Sequence, residues 1–167
     1  MRIGVPREPE FENRVGIVPG SMKKLTKAGF ELVIESSAGK RSHHDDADYE
    51  KAGANIGSRS EVFNSDIIIC IRLPPVSEVS KGQIVACIAD PFRAVEDVKS
   101  YVEAGVTLIS MDMIPRRLSR AQSMDVNSSQ DNLAGYKAVL LGAAHVPKGI
   151  PMTVSYTHLR AHETFHD

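Results

Sequence analysis

Asp66-Ile67-Ile68-Ile69-Cys70-Ile71 and Gln83-Ile84-Val85-Ala86-Cys87-Ile88 decide the fold. Both are near-continuous apolar runs rich in β-branched residues, and each is too short for an ordinary helix. A strand apolar on both faces belongs in a sheet covered by helices on either side. Outward from this pair the same grammar repeats. Arg2 to Val5, stopped by Pro6, reads as a strand, as do Glu31 to Glu35 and Val106 to Ile109. Lys27-Ala28-Gly29, Lys51-Ala52-Gly53 and Glu103-Ala104-Gly105 read as helix endings, because Gly takes the left-handed cap without a Cβ penalty. The helices they close are expected to begin at Ser21, an N-cap behind Pro19-Gly20, at Asp46, capping Asp48 to Ala52, and at Phe92. Strands alternating with helices make an α/β domain with a mostly parallel sheet. Further on, Asp131 or Asn132 is expected to cap a long helix through Ala144, with Leu133, Tyr136, Val139 and Leu140 on one face. Pro147-Lys148-Gly149-Ile150-Pro151 breaks it and reads as a linker.

Composition narrows the function. A chain of 167 residues suits one domain burying roughly 70% of its unfolded surface. With 42% hydrophobic residues, 25% charged and a net charge of −1, it has no basic footprint for nucleic acid or an anionic membrane. The absence of Trp argues against base-stacking platforms. Cys70 and Cys87 sit inside apolar runs, so both are expected to be buried, reduced and cytosolic. The opening Met-Arg-Ile-Gly-Val-Pro-Arg-Glu lacks the apolar region of a signal peptide, and no run approaches the ~20 residues that span a bilayer.

Several motifs have a bland reading that outweighs the sharp one. His162-Glu163-Thr164-Phe165-His166 matches the zinc-protease pattern, but a terminal turn with no third ligand downstream is better read as chance. Ala38-Gly39-Lys40-Arg41-Ser42 lacks the first glycine of a phosphate loop, since that position is Ile34. His43, His44, Asp45, Asp46 and Asp48 suit a solvated helix start better than a metal site. No G-x-G-x-x-G occurs, so no complete dinucleotide-binding domain is shown. Arg14, just beyond the first strand, either grips a ligand carboxylate or pairs with Glu12 or Glu10. The stretch Ser110 to Lys137 mixes Met111, Met113, Ile114, Leu118 and Met124 with arginines, aspartates and serines, which suits a pocket wall.

Arg2-Ile3-Gly4-Val5-Pro6-Arg7-Glu8, Glu12-Asn13-Arg14-Val15 and Val18-Pro19 resemble the family that joins alanine dehydrogenase to the nicotinamide nucleotide transhydrogenase alpha subunit. Ala38-Gly39, Asp48-Tyr49 and Ala52-Gly53-Ala54 fit the same pattern. Met113 to Arg116, Ser119 to Asp125, Ser128-Ser129-Gln130 and Ala134 to Val139 are similar to the transhydrogenase branch in particular. The likeness covers about Met1 to Met152. In the dehydrogenases the positions of Arg72 and Asp90 hold a substrate-binding lysine and a catalytic histidine, so a carbonyl substrate would lack its usual partners here.

The resemblance implies a Rossmann-like, mostly parallel sheet with helices on both faces, ending in a long linker helix. The implied division is an α/β domain over 1–130, a linker helix with the start of a missing nucleotide-binding domain over 131–152, and a non-native tail over 153–167. Within that tail, Tyr156 to Thr164 resembles a translated sequencing adapter. The implied activity belongs to the NAD(H)-binding component of a proton-translocating transhydrogenase, cytoplasmic and peripheral to the inner membrane. NADH passes hydride to NADP+ held on a partner component, a membrane-spanning component couples this to proton passage, and no metal takes part. The full-length component is expected to be a homodimer and to bind no nucleic acid. Arg117, Asp125 and Ser128 are implied to hold the nicotinamide carboxamide, with Gln122 where the two nucleotides meet; Gln122 and Asp125 are the implied catalytic pair. An amino-acid dehydrogenase and a non-catalytic module that docks a partner through its exposed helix are the alternatives.

Overall fold

A computed structural model describes residues 1–115 and 117–147. Arg116 and the proposed tail, with its His-Glu-x-x-His run, therefore lie outside the described residues. The chain divides into two compact units, Met1–Asp125 and a second beginning at Val126.

The first unit is a six-stranded parallel sheet: β1 (Arg2–Val5), β2 (Glu31–Glu35), β3 (Asn55–Gly57), β4 (Ile67–Arg72), β5 (Ile84–Ile88) and β6 (Thr107–Ser110). Its spatial order is β3-β2-β1-β4-β5-β6, and every neighbouring pair runs parallel. Four helices connect the strands: α1 (Pro19–Lys27), α2 (Asp46–Lys51), α3 (Arg59–Phe63) and α4 (Val95–Glu103). Right-handed crossovers put α1 and α2 on one face and α3 and α4 on the other, because the order reverses after β3. Two apolar clusters follow. Ile3, Val5, Leu32 and Ile34 pack with Met22 of α1 and Tyr49 of α2, whereas Ile68, Cys70, Val85 and Cys87 pack with Phe63 of α3 and Tyr101 of α4.

The two apolar runs form β4 and β5 as expected, yet their burial alternates between buried and half-buried rather than being complete on both faces. The cause is topological. Leu73 to Gln83 joins these strands with only a 3₁₀ turn, Val76–Glu78, and α1 and α2 cover the other half of the sheet. Cys70 and Cys87 are buried and free. The neighbouring Cys87 thiol, together with burial, pushes the Cys70 thiol far above its usual range, so it is no nucleophile.

Gly29, Gly53 and Gly105 all take positive φ, as the three helix endings require. The starts differ from expectation. Val18 is the N-cap of α1 and Pro19 occupies the first turn, where its missing N–H costs nothing, so Ser21 lies inside the helix. Asp45, not Asp46, caps α2 in a reciprocal box with Asp48, while Asp46 bonds Ser36 and Ser37. The helix α4 begins at Val95 rather than Phe92, because Asp90 to Ala94 form a turn. β3 and α3 were not anticipated; each is short, and α3 depends on the box between Ser58 and Glu61.

The second unit contains α5 (Val126–His145), 20 residues long and starting five or six residues before the expected cap. None of its residues is buried, and Leu133, Tyr136, Val139, Leu140 and Leu141 are exposed.

Candidate functional site

All six strands end on one edge, and the order reverses between β1 and β4. In doubly wound sheets this switch point opens the crevice where ligands bind. The loop that leaves β1 crosses it. Its main chain lies against β4 so closely that a Cβ on Gly16 would stand 2.5 Å from the Ile69 carbonyl oxygen. Two buried carboxylates fill the crevice. Glu8 accepts the main-chain N–H groups of Ile71 at 2.6 Å and Arg72 at 3.0 Å. Burial pushes its carboxyl up, and these two bonds pull partly back. Glu12 receives Arg14 through Nε at 2.8 Å and Nη2 at 2.7 Å, and Arg72 through Nε at 3.0 Å. The Arg14 bonds, above all, hold the Glu12 carboxyl down at about 2. Of the alternatives open for Arg14, the structure shows the pairing with Glu12. Arg72 also lies over the exposed Phe11 ring, its guanidinium carbon 5.8 Å from the centroid.

Next to this crevice, β5 and β6 are tied together at their ends. Asp112 accepts the N–H of Ala89 at 3.2 Å, the N–H of Asp90 at 3.1 Å and the Ser110 hydroxyl at 2.5 Å. Asp90 is held at φ +45°, an uncommon conformation for a residue with a Cβ. From Asp112 the chain enters the polar stretch singled out in the sequence. Met111–Met113 and Gln122–Met124 are single 3₁₀ turns, and Ala121 anchors the segment by burial. Arg117 and Gln122 are exposed, and Asp125 is buried. Ser128 is exposed on the first turn of α5, in the second unit. So Arg117, Gln122 and Asp125 share one segment of the first unit, and Ser128 belongs to the other.

On the far side of β1, Glu35 is buried at the end of β2 between Arg59 at 3.1 Å and Arg7 at 3.8 Å. Arg59 also forks onto Glu78 with bonds of 2.6 and 2.7 Å. Sequence reading did not find Glu8, the Glu12 pairing with Arg72, or this second network. The available signals were an acid two residues after a strand-stopping proline and an acid ending an otherwise apolar strand. Among the described residues no three His, Cys, Asp or Glu side chains gather as metal ligands.

A doubly wound parallel sheet with its order reversed between β1 and β4 is an α/β domain of Rossmann-like class. The chain belongs to the family described as alanine dehydrogenase/PNT, N-terminal domain, whose model matches residues 4–134. It is 35% identical over 149 residues to the NAD(P) transhydrogenase subunit alpha of Haemophilus influenzae, covering 87% of this chain and 29% of that protein. The crystal structure of a transhydrogenase from Sinorhizobium meliloti matches with a TM-score of 0.85 and 38% identity, over 93% of this chain and 48% of the other. An L-alanine dehydrogenase structure matches with a TM-score of 0.67 and 28% identity, over 72% of this chain and 34% of the other. The chain thus spans less than half the length of these relatives.

Proposed function

We propose that residues 1–130 are the N-terminal α/β domain of the NAD(H)-binding component of a proton-translocating NAD(P) transhydrogenase, with 131–152 leading toward a further nucleotide-binding domain. The observation that carries this reading over amino-acid oxidation lies at Arg72 and Asp90. Where the dehydrogenases carry a lysine and a histidine for a carbonyl substrate, this chain has an arginine bonded to Glu12 and an aspartate folded into a left-handed turn. The higher identity and TM-score with the transhydrogenase structure support the same choice.

Hydride transfer between two nicotinamides moves two electrons and one proton as a unit and needs no general acid, so the protein's task is positioning. A carboxamide asks for one donor and one acceptor. Arg117 and Gln122, exposed and with no side-chain partner among the described residues, supply donors, and the Asp125 carboxylate on the same segment supplies an acceptor; the Ser128 hydroxyl of the other unit is a candidate from the resemblance alone. NADP(H) is held on a partner component, and a further component spans the membrane. The component is placed at the cytoplasmic side of the inner membrane by that membrane-spanning partner; no described helix of this chain is long and apolar enough to cross a bilayer. The exposed apolar residues of α5 fit a component that pairs as a homodimer or packs against the rest of its own chain.

The test is NADH-dependent reduction of an NADP analogue by the full-length component assembled with its partners. Gln122→Asn is expected to slow it without changing the melting temperature, and Asp125→Asn, at a buried carboxylate, to slow it as well. Unchanged rates would remove these residues from the site, and alanine-dependent NAD reduction would move the protein to the dehydrogenase branch.

A further inference from the structure

We propose that a separate site for a phosphate group lies in the cleft outside the ends of β1 and β2, built from Arg7, Ser37, Lys40 and Arg41. The cleft encloses about 620 Å³ and also meets Glu8, Glu10 and Arg59. It is independent of the segment assigned to nicotinamide and does not rest on that assignment.

The argument starts from which charges already have partners. Arg59 is saturated by Glu78 and Glu35. Arg41 is different: it is half-buried, and its Nη2 donates only to the main-chain oxygen of Glu8, at 2.5 Å. Among the described residues neither Arg41 nor Lys40 has a carboxylate within ion-pairing distance. A half-buried guanidinium without a carboxylate partner keeps charge and N–H donors to offer an anion entering the cleft. Arg7 adds a third cation, only loosely held by Glu35 at 3.8 Å.

Ser37 provides a second, unrelated sign. It lies in the turn after β2 at φ +64°, a strained conformation for a residue with a Cβ, and such strain concentrates at ligand sites. Asp46 pins this turn by accepting the Ser37 N–H at 2.7 Å. The Ser37 hydroxyl itself has no partner among the described residues, although the side chain lines the cleft.

Three cations and a hydroxyl on the loop after β1, the loop after β2 and the 3₁₀ turn Lys40–Ser42 surround one volume. That array suits a tetrahedral group with several acceptor oxygens and close to two charges at neutral pH, better than a planar carboxylate. The acids nearby do not compete equally. Glu8 turns its carboxylate to the N–H groups of Ile71 and Arg72; Asp45 and Asp46, beyond Lys40, serve the α2 cap and the Ser36-Ser37 turn. Glu10, exposed on the cleft rim, is the opposing charge.

Titration of the full chain with inorganic phosphate, glycerol phosphate and acetate, followed by amide NMR shifts and calorimetry, tests this. Phosphate is expected to bind saturably and shift Ser37, Lys40 and Arg41. Lys40→Gln and Arg41→Gln are each expected to weaken it about tenfold. Glu10→Gln should strengthen binding about two- to fivefold by removing the opposing charge. Ser37→Gly is expected to raise the melting temperature while weakening phosphate, opposite signs that a purely structural turn would not give. Equal affinity for both phosphates would identify the phosphate group itself as the ligand, and a tighter ester would identify a phosphomonoester. Non-saturating shifts, affinity unchanged in Lys40→Gln and Glu10→Gln, or acetate binding as tightly as phosphate would overturn the proposal. Lys40 and Glu10 are exposed, so both variants keep the fold on which the reading depends.

Discussion

The switch point and the segment after β6 are both polar loops leaving parallel strands, yet they treat their polar groups in opposite ways. At the switch point all four carboxylate oxygens of Glu8 and Glu12 accept hydrogen bonds, and both residues are buried. After β6, Arg117 and Gln122 stand exposed without an internal side-chain partner among the described residues. Carboxylates saturated from within hold a structure in place. Donors left open are available to a ligand. The crevice that fold topology marks for binding is therefore filled here by the protein's own ion pairs, which is why the proposed nicotinamide contacts fall on the neighbouring loop instead.

The sharpest way to break this contrast is Gly16→Ala. Its Cβ would press on the Ile69 main chain, lifting the loop that carries Glu12 and Arg14, at a cost of about 3 kcal/mol. The urea midpoint should fall accordingly; an unchanged midpoint would mean that the loop is not packed on β4. Glu12→Gln comes next, costing about 2–3 kcal/mol at pH 7 by leaving Arg14 and Arg72 underpaired. The sign with pH follows from the depressed carboxyl. Its contribution is complete above the ordinary value of 4.5 and is lost as pH falls toward about 2. Acid unfolding of the wild type should steepen in that window and flatten in the variant. Glu8 works the other way: its carboxyl is raised, so ionising it above 4.5 costs stability and acid relieves the cost.

On the opposite side of the comparison, Gln122→Asn in the assembled full-length component should reduce NADH-dependent turnover about tenfold, roughly 1.4 kcal/mol of lost positioning. Its melting temperature should stay within a degree or so of wild type, since an exposed side chain with no partner contributes little to folding. The smallest effect belongs to Gly135→Ala in α5, where nothing lies within 4 Å of the new Cβ, giving about 0.5–1 kcal/mol of added helix stability.

Much of the fold was legible because its signals are local. Apolar runs marked β4 and β5, and glycines that needed positive φ marked three helix ends. What failed was also local in cause. Ser21 looked like a cap until Pro19 took the first turn, and Asp46 yielded the cap to Asp45 because the strained Ser37 turn required it. β3 and α3 escaped since three and five residues carry too little periodicity. For the candidate site, sequence similarity pointed to Arg117, Gln122, Asp125 and Ser128, but no pattern of spacing could pair Glu12 with Arg72 across 60 positions.

By itself, then, the sequence determined the class of fold, the positions of five of the six strands near their true limits, and the polar stretch after β6. These depend on side-chain period and backbone freedom, which neighbours along the chain decide. Only the tertiary structure decided the strand order, the reversal between β1 and β4, and which charges were neutralised from within. Those outcomes depend on which strands become neighbours. A carboxylate's partner is chosen by that packing, not by proximity along the chain.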